Sequence, residues 1–253
     1  MEVLTIINQK GGVGKTTTAH NLATGLQKRG KKVLLVDLDP QTNLTYTILK
    51  KLSEKTIFNV FMQNENINNC ICKVGETEII PASSELSILD TILKDTGKEY
   101  RLKEALKMLK NTYDFIIIDT PPALGILTVN SLTASNRAIV TAQADIYSLQ
   151  GIGQLNQTIQ AVKKYCNEDL IIDGILLTRY NGRSILTKDM TENMEKMAEN
   201  IGTRVYNTKI RECTAIKEAQ ATGRNIFDYA KKCNASIDYN KFIDEFLKGA
   251  NNE

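Results

Sequence analysis

Apolar runs separated by amphipathic stretches alternate along most of this chain. Residues 3–7, 32–37 and 114–119 are almost continuously apolar and rich in β-branched residues, as is typical of strands covered on both faces of a parallel sheet. Other apolar runs predict further strands at 78–82, 137–142 and 170–178, with an extended segment at 204–210.

The stretches between these runs place apolar residues three and four positions apart, which predicts helices. The first begins near Lys15, and Ser83 or Ser84 is expected to cap another. The other predicted helices cover residues 42–52, 56–62, 100–109, 149–165, 188–200, 212–221 and 237–247, with a polar loop at 64–69. Strands that alternate with helices predict an α/β fold with a doubly wound, mostly parallel sheet. With no internal repeat and no Gly/Ser linker, we expect one domain over residues 1–253.

Composition narrows the class of protein. The 253 residues can bury a large core without disulfides, and five scattered cysteines predict free thiols in a reducing cytoplasm. No histidine or second cysteine pair accompanies Cys70 and Cys72 at ligand spacing, so we expect no metal site there. The sequence shows no signal peptide and no apolar stretch near eighteen residues, which predicts a cytoplasmic protein.

A glycine-rich loop joins the first strand to the first helix, in the sequence Asn-Gln-Lys-Gly-Gly-Val-Gly-Lys-Thr-Thr-Thr from position 8. Glycines let backbone N–H groups turn inward around a phosphate, and the following helix adds the positive end of its dipole. Lys15 is expected to reach the β- and γ-phosphates, and the Thr16 hydroxyl to bind Mg²⁺. The loop therefore predicts a nucleotide-binding site.

Lys10 departs from the plain pattern of such a loop. A lysine this close to its own loop does not easily turn back onto the same phosphates, but it can reach a nucleotide held by a second subunit, as an arginine finger does. The alternative interpretation is a solvated loop lysine.

Three aspartates follow predicted strands. Asp37 and Asp39 end the second strand, and Asp119 ends the strand before Pro121 and Pro122. Because the carboxyl ends of parallel strands form the ligand-binding edge of an α/β sheet, these carboxylates are expected beside the glycine loop. Asp119 is interpreted as the acid that holds Mg²⁺ through water.

These three motifs, in this order and spacing, resemble the deviant Walker A ATPases of the ParA/MinD superfamily. The likeness continues through residues 80–86, 177–181 and 210–212 and covers nearly the whole chain. It is strongest to the ParA/Soj branch, in the short form without an N-terminal helix-turn-helix domain.

The resemblance implies an ATPase that is slow unless a partner stimulates it. ATP and Mg²⁺ would close two monomers into a sandwich in which Lys10 contacts phosphate across the interface and Gly11 lies where the two loops meet. Asp39 would position the attacking water, while Asp37 and the Asp119 loop would sense the γ-phosphate. The ATP-bound homodimer would bind double-stranded DNA without sequence preference, and a ParB-type centromere-binding protein would release it. The expected task is plasmid or chromosome partition.

Site residues follow from these motifs. The catalytic residues are expected to be Lys10, Lys15 and Asp39, and the metal-binding residues Thr16, Asp37 and Asp119. The nucleotide-binding residues are predicted to be Lys10, Gly11, Gly12, Val13, Gly14, Lys15, Thr16, Thr17, Asp37, Asp39 and Asp119. Thr178 and Arg179 are also expected at the nucleotide, beside the purine at the end of a strand, although a structural role explains Arg179 at least as well.

A basic excess near the C-terminal end suggests where DNA would bind. Residues 204–232 carry seven basic and three acidic side chains, although a solvated face explains such an excess equally well. The candidate DNA contacts are Arg183, Lys209, Arg211, Lys217, Arg224, Lys231 and Lys232. His20, on the first helix, is expected to be a surface or packed residue.

Three other classes of protein share the glycine loop. A MinD-like ATPase at the membrane surface needs a basic amphipathic tail, whereas residues 238–253 carry two lysines against four acidic residues. An electron-transfer ATPase like the nitrogenase iron protein needs a cysteine shortly after the strand that ends at Asp119, and residues 120–135 contain none. A tyrosine kinase of the same superfamily would need a terminal tyrosine cluster.

Overall fold

The computed structural model of the chain describes residues 1–63 and 65–250. Its strands are β1 (Glu2–Ile7), β2 (Val33–Asp37), β3 (Cys72–Val74), β4 (Thr77–Ile80), β5 (Phe115–Asp119), β6 (Arg137–Ala142) and β7 (Ile171–Leu177). They form one sheet in the order β3-β4-β2-β5-β1-β6-β7. Every pairing is parallel except that of β3 with β4. The doubly wound, mostly parallel sheet predicted from the sequence is confirmed.

Helices cover both faces of this sheet. They are α1 (Lys15–Gln27), α2 (Asn43–Leu49), α3 (Ile57–Gln63), α4 (Leu89–Ile92), α5 (Arg101–Lys107), α6 (Ile126–Ala134), α7 (Ile146–Tyr165), α8 (Ile185–Asn200), α9 (Thr214–Thr222), α10 (Ile226–Tyr229) and α11 (Asn234–Ala250). Short 3-10 helices lie at Ile67–Cys70, Ser84–Ile88 and Lys98–Tyr100.

Alternate residues of each strand pack on opposite faces, as the pleat of a strand requires. Leu35 and Ile117 pack with Leu22 of α1 and with Phe242 and Phe246 of α11 on one face. The residues next to them in sequence pack against α3, α5 and α6 on the other face. Helices α7 and α8 cover the β6 and β7 end of the sheet. Within the described residues, no helix is both long and apolar enough to cross a bilayer.

Two long helices with polar N-caps begin three residues earlier than the apolar spacing predicts. Asp145 caps α7 by accepting a hydrogen bond of 2.8 Å from the Ser148 backbone N–H, so that helix starts at Ile146 rather than at 149. Ser184 likewise caps α8, which starts at 185 rather than at 188. Polar caps thus extend each helix beyond its apolar stripe.

Other predictions near the 3-10 segments are wrong in detail. The polar loop predicted at 64–69 includes the start of the 3-10 helix Ile67–Cys70, and residue 64 lies outside the described residues. Ser83 precedes the 3-10 helix Ser84–Ile88, but its hydroxyl donates to the Glu85 carboxylate instead of capping the backbone. By contrast, the segment at 204–210 is extended, as predicted: its Val205 forms an isolated parallel bridge with Ile175 of β7, and a second bridge joins Tyr180 to Arg211 just beyond the two segments.

Candidate functional site

The glycine loop and the three aspartates meet at the carboxyl edge of the sheet. Strands β2, β5 and β1 are neighbours there, and Asp37 and Asp119 occupy paired positions on β2 and β5. The loop leaves β1 on the other side of β5 and enters α1 at Lys15. The fold therefore assembles the three sequence motifs into one cleft.

The loop conformation depends on two glycines. Gly12 and Gly14 have φ angles of 76° and 81°, in the left-handed region that other L-residues rarely adopt. Gly14 is the N-cap of α1, and its carbonyl accepts the Thr18 N–H at 2.8 Å. The free N–H groups of the first helical turn consequently face the cleft, where they suit an anion.

Lys15 is buried at the base of this loop, only 6% exposed, and its ammonium donates to the Lys10 carbonyl at 3.1 Å. Burial lowers the pKa of Lys15, while the nearby carboxylates of Asp119 and Asp39 oppose that shift. The cation is thus held within the curve of the glycine loop, where phosphate charge would compensate its burial.

Asp37 is fully buried and tied to the segment that follows β2. Its Oδ2 accepts hydrogen bonds from the Thr45 backbone N–H at 2.9 Å and hydroxyl at 2.7 Å, and its Oδ1 accepts the Asp39 N–H at 3.0 Å. Burial raises the pKa of Asp37 to about 6, because these hydrogen bonds only partly offset the loss of solvation. Thr45 in turn accepts the Ala82 N–H, which links α2 to the end of β4.

Asp119 is fully buried, and neither of its carboxylate oxygens has a hydrogen-bond partner among the described residues. Burial raises the pKa of Asp119 well above its ordinary value, and Asp37 and Asp39 raise it further. The Thr16 hydroxyl is near enough to oppose that shift, although it makes no hydrogen bond of good geometry. Buried carboxylate oxygens without donors normally have a cation or water as partner.

Asp39 lies closer to the opening of the cleft. Its Oδ1 accepts the Gln41 N–H at 2.9 Å, which fixes one oxygen and leaves the other able to hold water. Burial raises the pKa of Asp39, while the Gln41 hydrogen bond and Lys15 lower it.

The donor set around Thr16 fits a hard divalent cation. Among the described residues there is no cluster of three or more His, Cys, Asp or Glu side chains that would hold a metal by itself. Mg²⁺ suits such a site, since it usually binds one or two protein oxygens together with substrate phosphates and water. Thr16, Asp37 and Asp119 are the side chains that would hold it, directly or through water.

Lys10 turns away from the cleft in this single chain. Its ammonium forms a 2.7 Å ion pair with Asp145 and lies 5.8 Å from the centre of the Tyr147 ring. Burial alone would raise the pKa of Asp145, but hydrogen bonds from Lys10 and from Ser148 lower it. The sequence did not identify Asp145 as a partner of Lys10, because the two residues are 135 positions apart and meet only in the folded chain.

Thr178 and Arg179 have different positions relative to the cleft. The buried Thr178 hydroxyl donates to the Val13 carbonyl at 2.9 Å, so it supports the glycine loop from behind. Arg179 lines the cleft with a φ of 49° and pairs with Glu212 at 2.9 Å.

The cleft beside the loop has a volume of about 310 Å³. Side chains from two C-terminal helices close its far wall and also contact α1: Gln220 of α9 donates to Thr17 at 2.8 Å, and Tyr239 of α11 hydrogen-bonds Thr18 at 3.1 Å. The sequence offered no signal for these contacts, which span more than 200 residues.

The candidate DNA-binding residues fall into two groups. Arg211 and Lys217 line the cleft itself, and Arg211 is paired with Asp238 at 2.7 Å. Arg183, Arg224, Lys231 and Lys232 are exposed, and Arg224 donates to the Asp228 carbonyl. Lys209 is partly exposed. His20 is buried away from the loop, where desolvation, followed by the charge of Lys50, lowers its pKa to about 4.

Comparison with known proteins agrees with this geometry. A family model described as an AAA domain matches residues 1–172. The chain is 40% identical to the sporulation initiation inhibitor protein Soj of Bacillus subtilis (strain 168), over 90% of this chain and 91% of that protein. It is 35% identical to the chromosome partitioning protein ParA of Caulobacter vibrioides (strain NA1000 / CB15N), over 98% and 94% of the two chains.

The chain belongs to the ParA/Soj family of ATPases.

The resemblance stated from the three motifs is thereby confirmed. A solved structure of a similar protein, cobyrinic acid a,c-diamide synthase from Mycobacterium smegmatis with bound ADP and magnesium, has a TM-score of 0.84. It is 32% identical to this ParA/Soj family member and covers 99% of this chain and 96% of that one.

Proposed function

We propose that this chain is a nucleotide-switched partition ATPase formed by one domain over residues 1–253. It binds ATP with Mg²⁺, dimerises in that state, binds DNA without sequence preference, and is released after hydrolysis stimulated by a ParB-type partner. The similarity to chromosome partitioning proteins supports the class of task. The ADP and magnesium bound to the similar solved structure support the ligands.

The observation that carries the proposal is the unsatisfied Asp119 carboxylate beside Lys15. A fully buried acid with no donor, next to a buried lysine and a left-handed glycine loop, is expensive to maintain in an empty cleft. A triphosphate with Mg²⁺ supplies the missing partners of all three features. The site therefore suits phosphate chemistry better than the binding of a neutral ligand.

The residues of this chain contribute positioning and charge. The glycine loop and Lys15 hold the phosphates, Thr16, Asp37 and Asp119 hold the metal, and Asp39 orients the attacking water. Bound Mg²⁺ would neutralise charge that develops on the phosphate oxygens. With no strong base in the cleft, phosphoryl transfer to water depends on these placements, so slow hydrolysis is expected until a partner completes the site.

Lys10 connects hydrolysis to dimerisation. In the single chain its ammonium is paired with Asp145, and only 30% of the Lys10 side chain is exposed. Approach of a second nucleotide-loaded copy would exchange this carboxylate for phosphate oxygens, which carry more charge. We propose that each Lys10 leaves Asp145 for the nucleotide of the other subunit, so that the dimer forms only with ATP.

DNA binding would follow from the dimer. Each aligned cation adds salt-sensitive, sequence-independent affinity, and two copies double the number presented. The exposed residues Arg183, Arg224, Lys231 and Lys232 are the first candidates. Arg211 and Lys217 line the cleft, so their substitution would need a separate measurement of nucleotide affinity.

A gel shift on arbitrary duplex DNA tests the proposal, with no nucleotide, ADP, ATP or a non-hydrolysable analogue. We expect retention with ATP and the analogue only, and loss of retention as salt rises. Equal retention without nucleotide would contradict the proposed switch. Charge reversal at Arg224, Lys231 and Lys232 should weaken retention without changing ATP affinity.

The structure bears on the membrane-surface alternative through α11. The apolar residues Phe242, Ile243 and Phe246 of this helix are buried in the core, so they are not available to enter a lipid headgroup region. Residues 251–253 of the predicted tail lie outside the described residues. Flotation of the protein with anionic liposomes in the presence of ATP would favour that alternative over DNA binding.

A further inference from the structure

Thr45, in the first turn of α2, joins the ends of two neighbouring strands through one buried hydroxyl. Thr45 is fully buried, and its hydroxyl oxygen accepts the Ala82 backbone N–H at 2.9 Å. A hydroxyl has a single proton, and this one is donated to the Asp37 Oδ2 atom at 2.7 Å. Asp37 ends β2 and Ala82 follows β4, and these strands pair through Val36 and Ile80. The sheet therefore fixes the direction of the hydroxyl.

Thr45 also saturates one of the two oxygens of the Asp37 carboxylate. Oδ2 accepts the Thr45 N–H at 2.9 Å as well as the hydroxyl, and these two bonds fill its acceptor sites. Among the described residues, Oδ1 accepts only the Asp39 N–H, at 3.0 Å. The acceptor site that remains on Asp37 therefore belongs to Oδ1, which is the oxygen able to face a hydrated cation.

The backbone just before Thr45 has a conformation that its residue type disfavours. Thr42, the N-cap of α2, has a φ of 56°, in the left-handed region that β-branched residues rarely adopt. The Thr42 side chain does not cap the helix, and Asp37 instead accepts the Thr45 N–H, as an N-cap side chain normally would. Strained backbone persists where surrounding contacts determine it, and it concentrates at functional sites. The contact between Asp37 and Thr45 is such a determinant.

We infer that Thr45 is a positioning residue for the metal site: it directs Oδ1 of Asp37 toward the metal and, through that oxygen, fixes the Asp39 backbone. Thr45 need not touch the metal or the nucleotide for this role. Groups that hydrogen-bond a metal-binding side chain orient it, and their loss typically weakens metal affinity or activity roughly 10- to 100-fold. The inference rests on the proposed function, because that function assigns the metal to Asp37. It adds a residue outside the three sequence motifs.

Substitutions at Thr45 separate the hydroxyl from the shape of the side chain. Thr45→Val keeps the size and branching but removes the donor to Asp37 and the acceptor for Ala82. Thr45→Ser keeps the hydroxyl and removes a methyl group, so it should preserve the role. Thr5→Val is the matched control, because Thr5 of β1 is also fully buried and its hydroxyl is hydrogen-bonded to Ser135 at 2.6 Å, but Thr5 does not line the cleft.

The first measurement compares the ATP affinity of the full chain in Mg²⁺ and in EDTA by titration calorimetry. The ratio of the two dissociation constants gives the contribution of the metal. In Thr45→Val this ratio should fall about tenfold while the ATP affinity in EDTA stays the same. Thr45→Ala, which also lacks the hydroxyl, should give the same fall, whereas Thr45→Ser and Thr5→Val should keep the original ratio. An unchanged ratio without the hydroxyl, or an equal fall in Thr5→Val, would overturn the inference.

A second measurement needs no ligand. The Asp39 N–H is bonded to Asp37 and not to Thr45, so its exchange with deuterium in the empty chain reports the position of the Asp37 carboxylate. NMR should show faster exchange at Asp39 in Thr45→Val than in Thr45→Ser. Equal exchange would overturn the inference, because Thr45 would then fix only α2. Absence of ATP binding by the unsubstituted chain would instead overturn the proposed function, and the exchange result would stand.

Discussion

The Asp119 carboxylate affects the stability of the chain differently with and without a bound cation. Its two oxygens are buried and have no donor among the described residues, and Asp37 and Asp39 lie nearby. In the empty chain these like charges and the lost hydration oppose ionisation. A bound cation reverses this balance, because it favours the ionised form. The same residue is therefore destabilising for the empty fold and favourable for ligand binding.

Buried acids of this kind predict that the free energy of unfolding of the empty chain falls as pH rises. An acid whose pKa is higher in the folded chain than in the unfolded chain stabilises the fold while it is protonated. That stability is lost as the pH rises from the unfolded-state pKa through the folded-state pKa. For Asp37 the window is pH 4 to 6, worth about 3 kcal/mol in the free energy of unfolding. Urea denaturation between pH 4 and pH 8 should show falling stability, and saturating ATP with Mg²⁺ should flatten the fall.

Asp119→Asn should raise the free energy of unfolding of the empty chain at pH 7.5 by about 1–3 kcal/mol, because folding of the acid must either bury a charge or take up a proton, whereas the neutral amide requires neither. The same variant should lose the additional stabilisation by Mg²⁺ over ATP alone. Thermal shift with ATP, and with ATP plus Mg²⁺, measures both effects. A less stable empty variant would contradict this account of the carboxylate.

Lys15→Ala should weaken ATP binding roughly 10- to 100-fold, since it removes one charge-assisted contact from the loop. Lys28→Ala is the matched control, because Lys28 lies beyond the other end of α1 in an exposed pair with Asp228. Titration calorimetry compares the two. Similar affinity losses in both variants would indicate a general effect on α1 rather than a phosphate contact.

Asp145→Asn separates the two roles of that residue. The amide keeps an oxygen that can cap α7 but loses the charge that pairs with Lys10. Because the ion pair is about one-third exposed, stability should change by less than about 1 kcal/mol. Dimerisation with ATP should strengthen, as Lys10 no longer has to leave a carboxylate. Asp145→Ala, which also removes the cap, is the comparison, and sedimentation velocity measures the dimer.

Strands and helices with a strong apolar pattern were predictable from the sequence. Those whose position depends on contacts with distant residues were not. Strand β3 has only three residues, Cys-Lys-Val, which are too few to show an alternating pattern. Its pairing with β4 depends on Gly75, which has a φ of 59°. Helix α6 has no polar cap in its own sequence, because Asp90 accepts the Ile126 N–H at 2.7 Å from elsewhere in the chain.

The same distinction applies to the candidate site. The glycine loop, Asp37, Asp39 and Asp119 are local motifs at strand ends, and the topology of a parallel sheet brings them together. Thr45, Asp145, Gln220 and Tyr239 complete the surroundings from α2, α7, α9 and α11. Their roles depend on how helices pack against the sheet, which a single sequence does not specify.

The close packing of α1 on α11 at Gly25 predicts how substitutions there change stability. A Cβ at Gly25 would lie 2.1 Å from the Ile243 Cδ1 atom, so Gly25→Ala should destabilise the fold by about 1–3 kcal/mol. Ile243→Val removes that methyl group. The double variant should be more stable than the sum of the single effects by about 1 kcal/mol, as chemical denaturation would measure. If the two stability effects simply add, the helices must move apart in the Gly25→Ala variant rather than press against the Ile243 methyl group.

At the scale of the whole molecule, substitution of Gly11 tests dimerisation separately from folding. A Cβ there meets nothing within 4 Å in the single chain, and its φ is not left-handed. Gly11→Val should therefore fold and bind ATP but remain monomeric in light scattering, since the added bulk would face the second copy in the proposed dimer. Gly11→Ala makes the smaller change at the same position. An ATP-bound dimer of the valine variant would contradict the assigned interface.

The unsatisfied Asp119 carboxylate beneath the glycine loop also affects the lifetime of the protein. A chain that is more stable with its ligand than without it unfolds less often when loaded, so a protease that cleaves opened chains digests the empty form first. Turnover of the protein in a cell would then follow its nucleotide supply. Starved of ATP, a cell would lose the molecule as well as its activity.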